Sequence, residues 1–161
     1  YKRQNHTHIS YINISEKYNF ANERKSSFLK SLKLNKINFN PNYYASVKLE
    51  EPENSFEVIK KMLTKNKKIS AIICSTEFSA LSAIKACNYL NYKIGKDISI
   101  ITFDGALVRD LSSPPITAVS FPVKELGKRA INILLDKNKN QTVNYLAKSE
   151  IIERGSVHIV S

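Results

Sequence analysis

Apolar and polar residues alternate in blocks over the first 104 residues, and the blocks follow two different periods. Short apolar runs predict four strands, at 8–13, 43–47, 70–75 and 97–104. Between them, apolar residues recur every three or four positions and predict three helices, at 20–33, 55–65 and 78–92. Because strand and helix alternate, the pattern predicts an α/β fold with a parallel, doubly wound sheet covered by helices on both faces.

Two residues mark predicted helix boundaries. Ser55 stands just before a stripe of apolar residues at helical spacing, and we predict that it is the N-cap of the 55–65 helix. Gly95 follows the 78–92 helix, where glycine commonly lets the chain turn. Both signals support the division of this region into separate helices and strands.

The pattern changes after residue 104. A loop leads to a short strand at 116–120, and Pro122 then opens a helix at 122–137. The tail at 142–160 is predicted to be extended. Because this segment does not continue the strand–helix alternation, we predict a crossover into a second lobe near residue 120. The predicted division is one lobe at 1–120, a returning segment of a second lobe at 121–149 and a return strand at 150–161.

The 122–137 helix has an apolar stripe that needs a cover. Its members share helical spacing and are Val123, Leu126, Ala130, Ile133 and Leu134. If the helix belongs to a second lobe, residues 1–120 do not cover this stripe. We therefore expect the 1–120 region to be well packed and the stripe to be sparsely buried.

Composition indicates one globular domain, or one and a half, with a real core: 161 residues, 42% of them hydrophobic and 24% charged. No apolar run approaches the roughly 18–20 residues of a membrane span. The net charge of +11 is compatible with a nucleic-acid partner, but the lysines are scattered, which favours a compositional origin. Cys74 and Cys87 form no CxxC pair and are predicted to be buried thiols in a reducing compartment.

Several kinds of chemistry have no support in the sequence. The four scattered glycines cannot supply either of the glycine-rich nucleotide-binding motifs, GxGxxG or GxxxxGK[ST]. No nucleophile stands beside a base. Neither an enzyme nor a cofactor is therefore predicted. His6 and His8 alternate at a strand entry and could hold a metal ion, but solvated histidines at a strand edge are the favoured interpretation. No metal site is predicted. The binding of a ligand is the function that remains.

Candidate ligand-binding residues lie at predicted strand ends. In parallel sheets ligands bind beyond the carboxyl ends of the strands, and Asp104 directly follows a buried strand. Arg24, in the first helix, has a guanidinium that can donate to two neighbouring oxygens, whereas a carboxylate can accept from two adjacent hydroxyls. Thr76 and Glu77 follow the preceding strand. A donor fork opposite an acceptor pair, beside aromatic rings, is typical of a sugar site.

Each of these residues also has a purely structural interpretation. Arg24 could form a surface ion pair with Glu16 or Glu23, and Asp104 could shape a turn with the glycine that follows it. Phe103 and Phe121 could simply belong to the core. The spacing of the residues does not decide between these interpretations and a ligand site.

Five segments, in order along the chain, resemble the effector-binding core of the LacI/GalR family of bacterial transcription repressors: NHTHISYIN, NERKSSF, AIICSTEFSALSAIKACNYLNYKIGKDISIITFD, PPITAVSFPVKELGKRAINILL and IIERGS. The resemblance covers nearly the whole chain. It implies a periplasmic-binding-protein-like (type I) fold of two α/β lobes, with an effector between them. Residues 1–120 would be the C-terminal lobe, and 121–149 would be part of the N-terminal lobe.

The resemblance also implies roles for individual residues. Arg24 and Asp104 would bind the effector, Thr76 falls where the family usually has Asn, and Phe121 falls where Gln is common. Two further residues, Phe20 and Glu50, complete the set of effector-binding candidates. A dimer interface would include Leu81, Lys85, Ser112 and Pro114, although Leu81 also fits the inward stripe of its helix.

The function implied is that of a cytoplasmic, homodimeric regulatory domain that senses a sugar or sugar phosphate and controls operator binding. Operator DNA would be read by a DNA-binding domain that is absent from this chain. Because the chain has no initiating Met, we expect it to be a fragment with an upstream part. The alternative is an extracytoplasmic sugar-binding protein of the same fold.

Overall fold

One six-stranded sheet organises the chain, in the order β2-β1-β3-β4-β5-β6. The structure is a computed structural model that describes residues 4–48, 51–104, 112–135 and 145–160. The strands are β1 (Ile9–Ile14), β2 (Tyr44–Val47), β3 (Ala71–Cys74), β4 (Ser99–Phe103), β5 (Thr117–Ser120) and β6 (Glu150–Ile152). The first five pair in parallel, and β6 is antiparallel to β5. The predicted α/β fold with a mostly parallel sheet is confirmed.

Helices cover the two faces of this sheet. They are α1 (Asn19–Leu34), α2 (Pro52–Lys65) and α3 (Glu77–Tyr89), whereas a fourth helix, α4 (Val123–Leu135), contains no buried residue. Side chains alternate across β1, so that Ile12 joins the core formed with α2 and α3, whereas Tyr11 joins a smaller cluster with Phe28 and Leu32 of α1. All six residues of β1 are buried. Because both faces of β1 are covered, its two polar residues, Ser10 and Asn13, are buried along with its apolar ones.

The predicted role of Ser55 is wrong. Helix α2 begins three residues earlier, at Pro52, which occupies the first-turn position that proline favours. Ser55 is therefore inside the helix, and its buried hydroxyl donates to the carbonyl oxygens of Lys48 and Glu51, each at 3.0 Å. The prediction for Gly95 fits better: its φ is +78°, and a Cβ there would collide with the carbonyl oxygen of Gly155.

The interpretation of the amino-terminal histidines as solvated is wrong for His6, which is 1% exposed. Its ring nitrogens lie 2.8 Å from the Ser70 hydroxyl and 3.0 Å from the Ser99 hydroxyl. Ser99 in turn lies 2.9 Å from Nδ1 of His158. The cluster joins the amino-terminal end of the chain, the starts of two strands and the C-terminal segment, which local sequence patterns do not place together.

The C-terminal segment is held to the sheet mainly by side chains. The Ser156 hydroxyl donates to the Ile100 carbonyl at 2.6 Å and accepts from the backbone N–H of Thr117 at 2.8 Å. Among residues 145–160, strand geometry is confined to Glu150–Ile152, so the extended stretch predicted at 142–160 is a strand only over those three residues.

Helix α4 has an apolar face without a cover in the described part of the chain. No residue of the helix is buried, and Val123 and Leu134 are 68% and 82% exposed. The other members of the predicted stripe are exposed or half-buried. The expected exposure is therefore observed, whereas the division into lobes at residue 120 stays a prediction. Of the helices described here, none is long and apolar enough to cross a membrane.

The His6 cluster makes stability depend on pH. Burial lowers the pKa of His6 below its usual 6.5, so the unfolded chain takes up a proton that the folded chain resists. The contribution of His6 is therefore complete above the unfolded pKa and declines as the pH falls through 6.5 toward the folded pKa. We expect the urea midpoint to drop between about pH 7.5 and 5.5, and we expect His6→Gln to reduce that drop.

The matched control is His8→Gln, because His8 is half-buried and its side chain contacts Tyr43, with Nδ1 3.1 Å from the hydroxyl and the ring centroids 5.8 Å apart. This variant is expected to keep the acid sensitivity of the unsubstituted chain. An unchanged pH dependence in His6→Gln would show that His6 is not the group responsible.

Candidate functional site

Strand β4 ends at a residue with unusual backbone geometry. Asp104 has a φ of +72°. Its backbone N–H donates to the Val119 carbonyl at 2.9 Å, which extends the hydrogen bonding between β4 and β5 by one residue. Asp is one of the few residues besides Gly that adopts this left-handed conformation readily. The carboxylate is exposed at the carboxyl edge of the sheet, where ligands bind in this architecture. The following residue, Gly105, lies outside the described residues.

Arg24 projects from α1 toward the ends of the two central strands. Its guanidinium donates to the carbonyl of Ser75, the residue after β3, and lies over the ring of Phe103 at 4.3 Å. It also lies 5.1 Å from the Phe20 ring. These contacts fix the position of the cation without neutralising its charge.

The structural interpretation of Arg24 as a partner of Glu16 is wrong. Glu16 pairs instead with Lys25, with Nζ and Oε1 2.5 Å apart, and it also accepts from the Tyr44 hydroxyl at 2.6 Å. These hydrogen bonds hold the pKa of Glu16 below its usual range and raise that of Lys25. Across the described ranges, no carboxylate lies within ion-pair distance of Arg24.

A cavity of about 410 Å³ lies beside this guanidinium. Its lining comprises residues of β1, α1, β3, β4 and the segment after β5: Tyr11, Glu23, Arg24, Ser27, Phe28, Ser31, Ile73, Phe103 and Phe121. The Phe103 and Phe121 rings are nearly parallel, with centroids 6.4 Å apart and an interplanar angle of 12°. The volume falls in the range of small-molecule sites, and the lining is apolar with a few polar groups, as such sites usually are.

The structure places some of the predicted effector residues in the lining of this cavity and others next to lining residues. Arg24 and Phe121 line the cavity, Phe20 contacts Arg24, and Asp104 follows the lining residue Phe103. Glu50 lies outside the described residues.

Thr76 has a structural task that the sequence analysis did not assign to it. Its Oγ1 accepts from the backbone N–H of Ser79 at 3.2 Å, and the Ser79 hydroxyl lies 3.1 Å from the Thr76 N–H. This reciprocal pair caps α3. Glu77, the first residue of the helix, is half-buried. A role for Thr76 toward a ligand stays a prediction.

The predicted dimer residues occupy two regions. Leu81 is half-buried and packs against the core beneath α3, while Lys85 is exposed and lies 4.8 Å from the Phe56 ring. Ser112 is half-buried. Pro114 packs closely on Gly155, because a Cβ added at Gly155 would lie only 2.8 Å from the Cβ of Pro114. Dimerisation through these residues stays a prediction.

Six lining residues were not among the candidates of the sequence analysis: Tyr11, Glu23, Ser27, Phe28, Ser31 and Ile73. The available signal was Tyr11, the one aromatic residue of β1. Ile73 looks like ordinary core in the sequence, and Ser27 has no distinguishing context.

A second cavity, also about 410 Å³, lies on the same face of the sheet and shares Ile73. Its polar lining includes Glu153, Arg154 and His158, but the Arg154 guanidinium donates to the Ile116 carbonyl within the chain. The first cavity has the stronger case as a ligand site, because it adjoins the ends of β3 and β4 and its cation is held between aromatic rings.

The two cysteines of the chain are buried. Burial raises the pKa of Cys87 to about 12 and that of Cys74 further, so both thiols are protonated and inaccessible near neutral pH. In the ranges that the structure covers, no group of three His, Cys, Asp or Glu residues is arranged to hold a metal ion.

Comparison with known proteins adds the family. The profile of the periplasmic binding protein-like domain matches residues 1–157. The HTH-type transcriptional repressor PurR of Haemophilus influenzae is 30% identical over 133 residues, covering 81% of this chain and 39% of the relative. The HTH-type transcriptional regulator RegA of Clostridium saccharobutylicum is 32% identical over 117 residues, covering 71% of this chain and 34% of the relative. The chain thus spans well under half the length of these relatives.

Solved structures show the same fold. A sugar-binding transcriptional regulator of the LacI family from Escherichia coli, complexed with phosphate, matches 99% of this chain and 58% of its own, with a TM-score of 0.86 and 22% identity. The transcriptional regulator CelR in complex with cellobiose matches 96% of this chain and 48% of its own, with a TM-score of 0.85 and 15% identity. The fold and the profile agree with the five sequence segments, which confirms the resemblance. The chain belongs to the periplasmic binding protein-like domain family, of the kind that forms the effector-binding core of LacI/GalR repressors.

Proposed function

We propose that the chain binds a sugar or a related small polar effector in the cavity beside Arg24, and that this binding controls operator recognition by the parent regulator in the cytoplasm. The observation that carries the proposal is the contact of the Arg24 guanidinium with the Phe20 and Phe103 rings, because Phe103 directly precedes Asp104 at the carboxyl edge of the sheet. Enzymatic turnover has no part in the proposal.

The chemistry of this edge suits a polyol. The guanidinium N–H groups that remain after the Ser75 contact can donate to hydroxyl oxygens, and the Asp104 carboxylate can accept from hydroxyl groups. The parallel rings of Phe103 and Phe121 offer an apolar wall to the C–H face of a sugar. A sugar phosphate would place additional charge near Arg24, so both kinds of ligand belong in the test.

The proposal includes a homodimer with a two-fold contact through Leu81, Lys85, Ser112 and Pro114. The names of the relatives, a repressor and a regulator, support a role in transcription over the extracytoplasmic alternative. An upstream gene sequence would distinguish the two, since one needs a DNA-reading motif and the other a signal peptide.

The direct test is Arg24→Ala, with binding followed by NMR titration against D-glucose, D-galactose, D-fructose, D-ribose and their phosphates. Loss of charge-assisted hydrogen bonds is expected to weaken binding by roughly 1.5–3 kcal/mol, with little change in unfolding temperature. The neighbouring Lys25→Ala is the matched control, because Lys25 pairs with Glu16 and lies over the Tyr44 ring. Equal weakening in both variants would contradict the assignment of Arg24.

A second prediction concerns nucleic acid. The net charge of +11 comes from scattered lysines rather than from a cluster, so the 161-residue chain is expected to bind DNA without sequence preference. In gel-shift titrations, operator and scrambled duplexes should compete equally, and binding should disappear as salt rises. Retardation of one sequence that persists in high salt would show that this chain itself reads DNA.

A further inference from the structure

Tyr11 lies in the middle of β1 and forms part of the cavity lining. Its ring stacks on Phe28 with centroids 4.7 Å apart and on Tyr44 with centroids 6.2 Å apart. The residue is only 1% exposed. Packing therefore fixes the ring, and with it the position of the hydroxyl group.

The Tyr11 hydroxyl is buried, and among the residues that the structure describes it has no hydrogen-bond partner. The adjacent Tyr44 differs, because its hydroxyl donates to Glu16 at 2.6 Å. Within the described ranges, two other buried oxygens have no partner: Asn13 Oδ1, near the end of β1, and Ser75 Oγ, on the residue whose carbonyl accepts from Arg24. Buried polar groups in folded proteins nearly always have partners, so these three exceptions on β1 and after β3 call for an explanation.

The surroundings of the hydroxyl define what it can bind. Burial raises the pKa of Tyr11, so the phenol stays protonated and can both donate and accept a hydrogen bond. The side chains that share its part of the cavity include Phe28, Ile73 and Phe103, which are apolar. Arg24 also lines the cavity and acts electrostatically on the phenol. A neutral hydroxyl nevertheless loses less hydration on burial than a charged group does, and it gains a partner in the Tyr11 hydroxyl.

We infer that the Tyr11 hydroxyl is the inner polar contact of the effector cavity and that it recognises a neutral hydroxyl group of a polyol ligand. The inference rests on the proposed function, since it specifies the ligand of the same cavity. Arg24 and Asp104 hold the outer part of the ligand, and Tyr11 selects for a hydroxyl at its inner end.

The inference predicts opposite effects on stability and on binding. Tyr11→Phe removes no hydrogen bond from the ligand-free protein and keeps the stacked ring, so the ligand-free protein should be at least as stable as before. The same variant should bind its sugar about five- to tenfold more weakly, the value of one neutral hydrogen bond. The matched control is Tyr44→Phe, which loses the bond to Glu16 but does not line the cavity. It should bind within about twofold of the unsubstituted chain.

The experiment titrates the unsubstituted chain and the variants Tyr11→Phe, Tyr44→Phe and Arg24→Ala with D-glucose, D-galactose, D-fructose and D-ribose by NMR. It also measures urea unfolding of each ligand-free protein. For the sugar that binds most tightly, its monodeoxy derivatives complete a double-mutant cycle with Tyr11→Phe. For the unsubstituted chain, one deoxy derivative is expected to bind more weakly than the parent sugar. For Tyr11→Phe, the same derivative and the parent sugar are expected to bind equally well.

Three results would overturn the inference. If Tyr11→Phe binds as tightly as the unsubstituted chain while Arg24→Ala does not bind, Tyr11 is not a contact and the proposed function still stands. If ligand-free Tyr11→Phe is less stable than the unsubstituted chain, the hydroxyl already has a partner. If none of the four sugars binds the unsubstituted chain, the proposed function fails and this inference fails with it.

Discussion

The parallel pairing of β1 with β2 and β3, and of β3 with β4, is the constraint on which the rest of the structure depends. Parallel strands must all end at the same edge, so each connection to the next helix leaves from that edge. The residues that follow β3 and β4 are consequently brought beside the start of α1. Arg24 links the three elements, because its guanidinium binds the carbonyl of Ser75 and stacks on Phe103. The candidate site follows from topology before any particular ligand is considered.

Two regions of the chain have very different burial. Strand β1 is buried on both faces and each of β2 to β5 contains buried residues, whereas α4 and β6 contain none. The C-terminal segment returns to the sheet beyond β6, where Ser156 and the His6 cluster replace apolar packing with hydrogen bonds. Polar attachment of this kind is directional, and it determines how the returning segment lies against β4 and β5 more than an apolar contact would.

The elements that repeat with a clear period were predictable from the sequence, because periodicity reports which side chains face the core. The strand-end position of Asp104 and the position of Arg24 in the first helix followed from the same pattern. The start of α2 was not predicted correctly, because Ser55 is a plausible N-cap and Pro52 is a plausible first-turn residue. Local sequence does not decide between these two starting points. The burial of His6 was missed because its partners Ser99 and His158 are distant in sequence. Tyr11 was missed as a site residue because a buried aromatic in a strand usually belongs to the core.

Two cavities of equal volume on one face of the sheet offer a sharp choice, and chemistry favours the one beside Arg24. The most direct measurement is the location of sugar binding in the isotopically labelled chain, from amide chemical-shift changes during titration. The predicted result is a set of shifts centred on Arg24, Phe103 and Phe121. A set centred instead on Arg154 and His158, in the second cavity, would contradict the account.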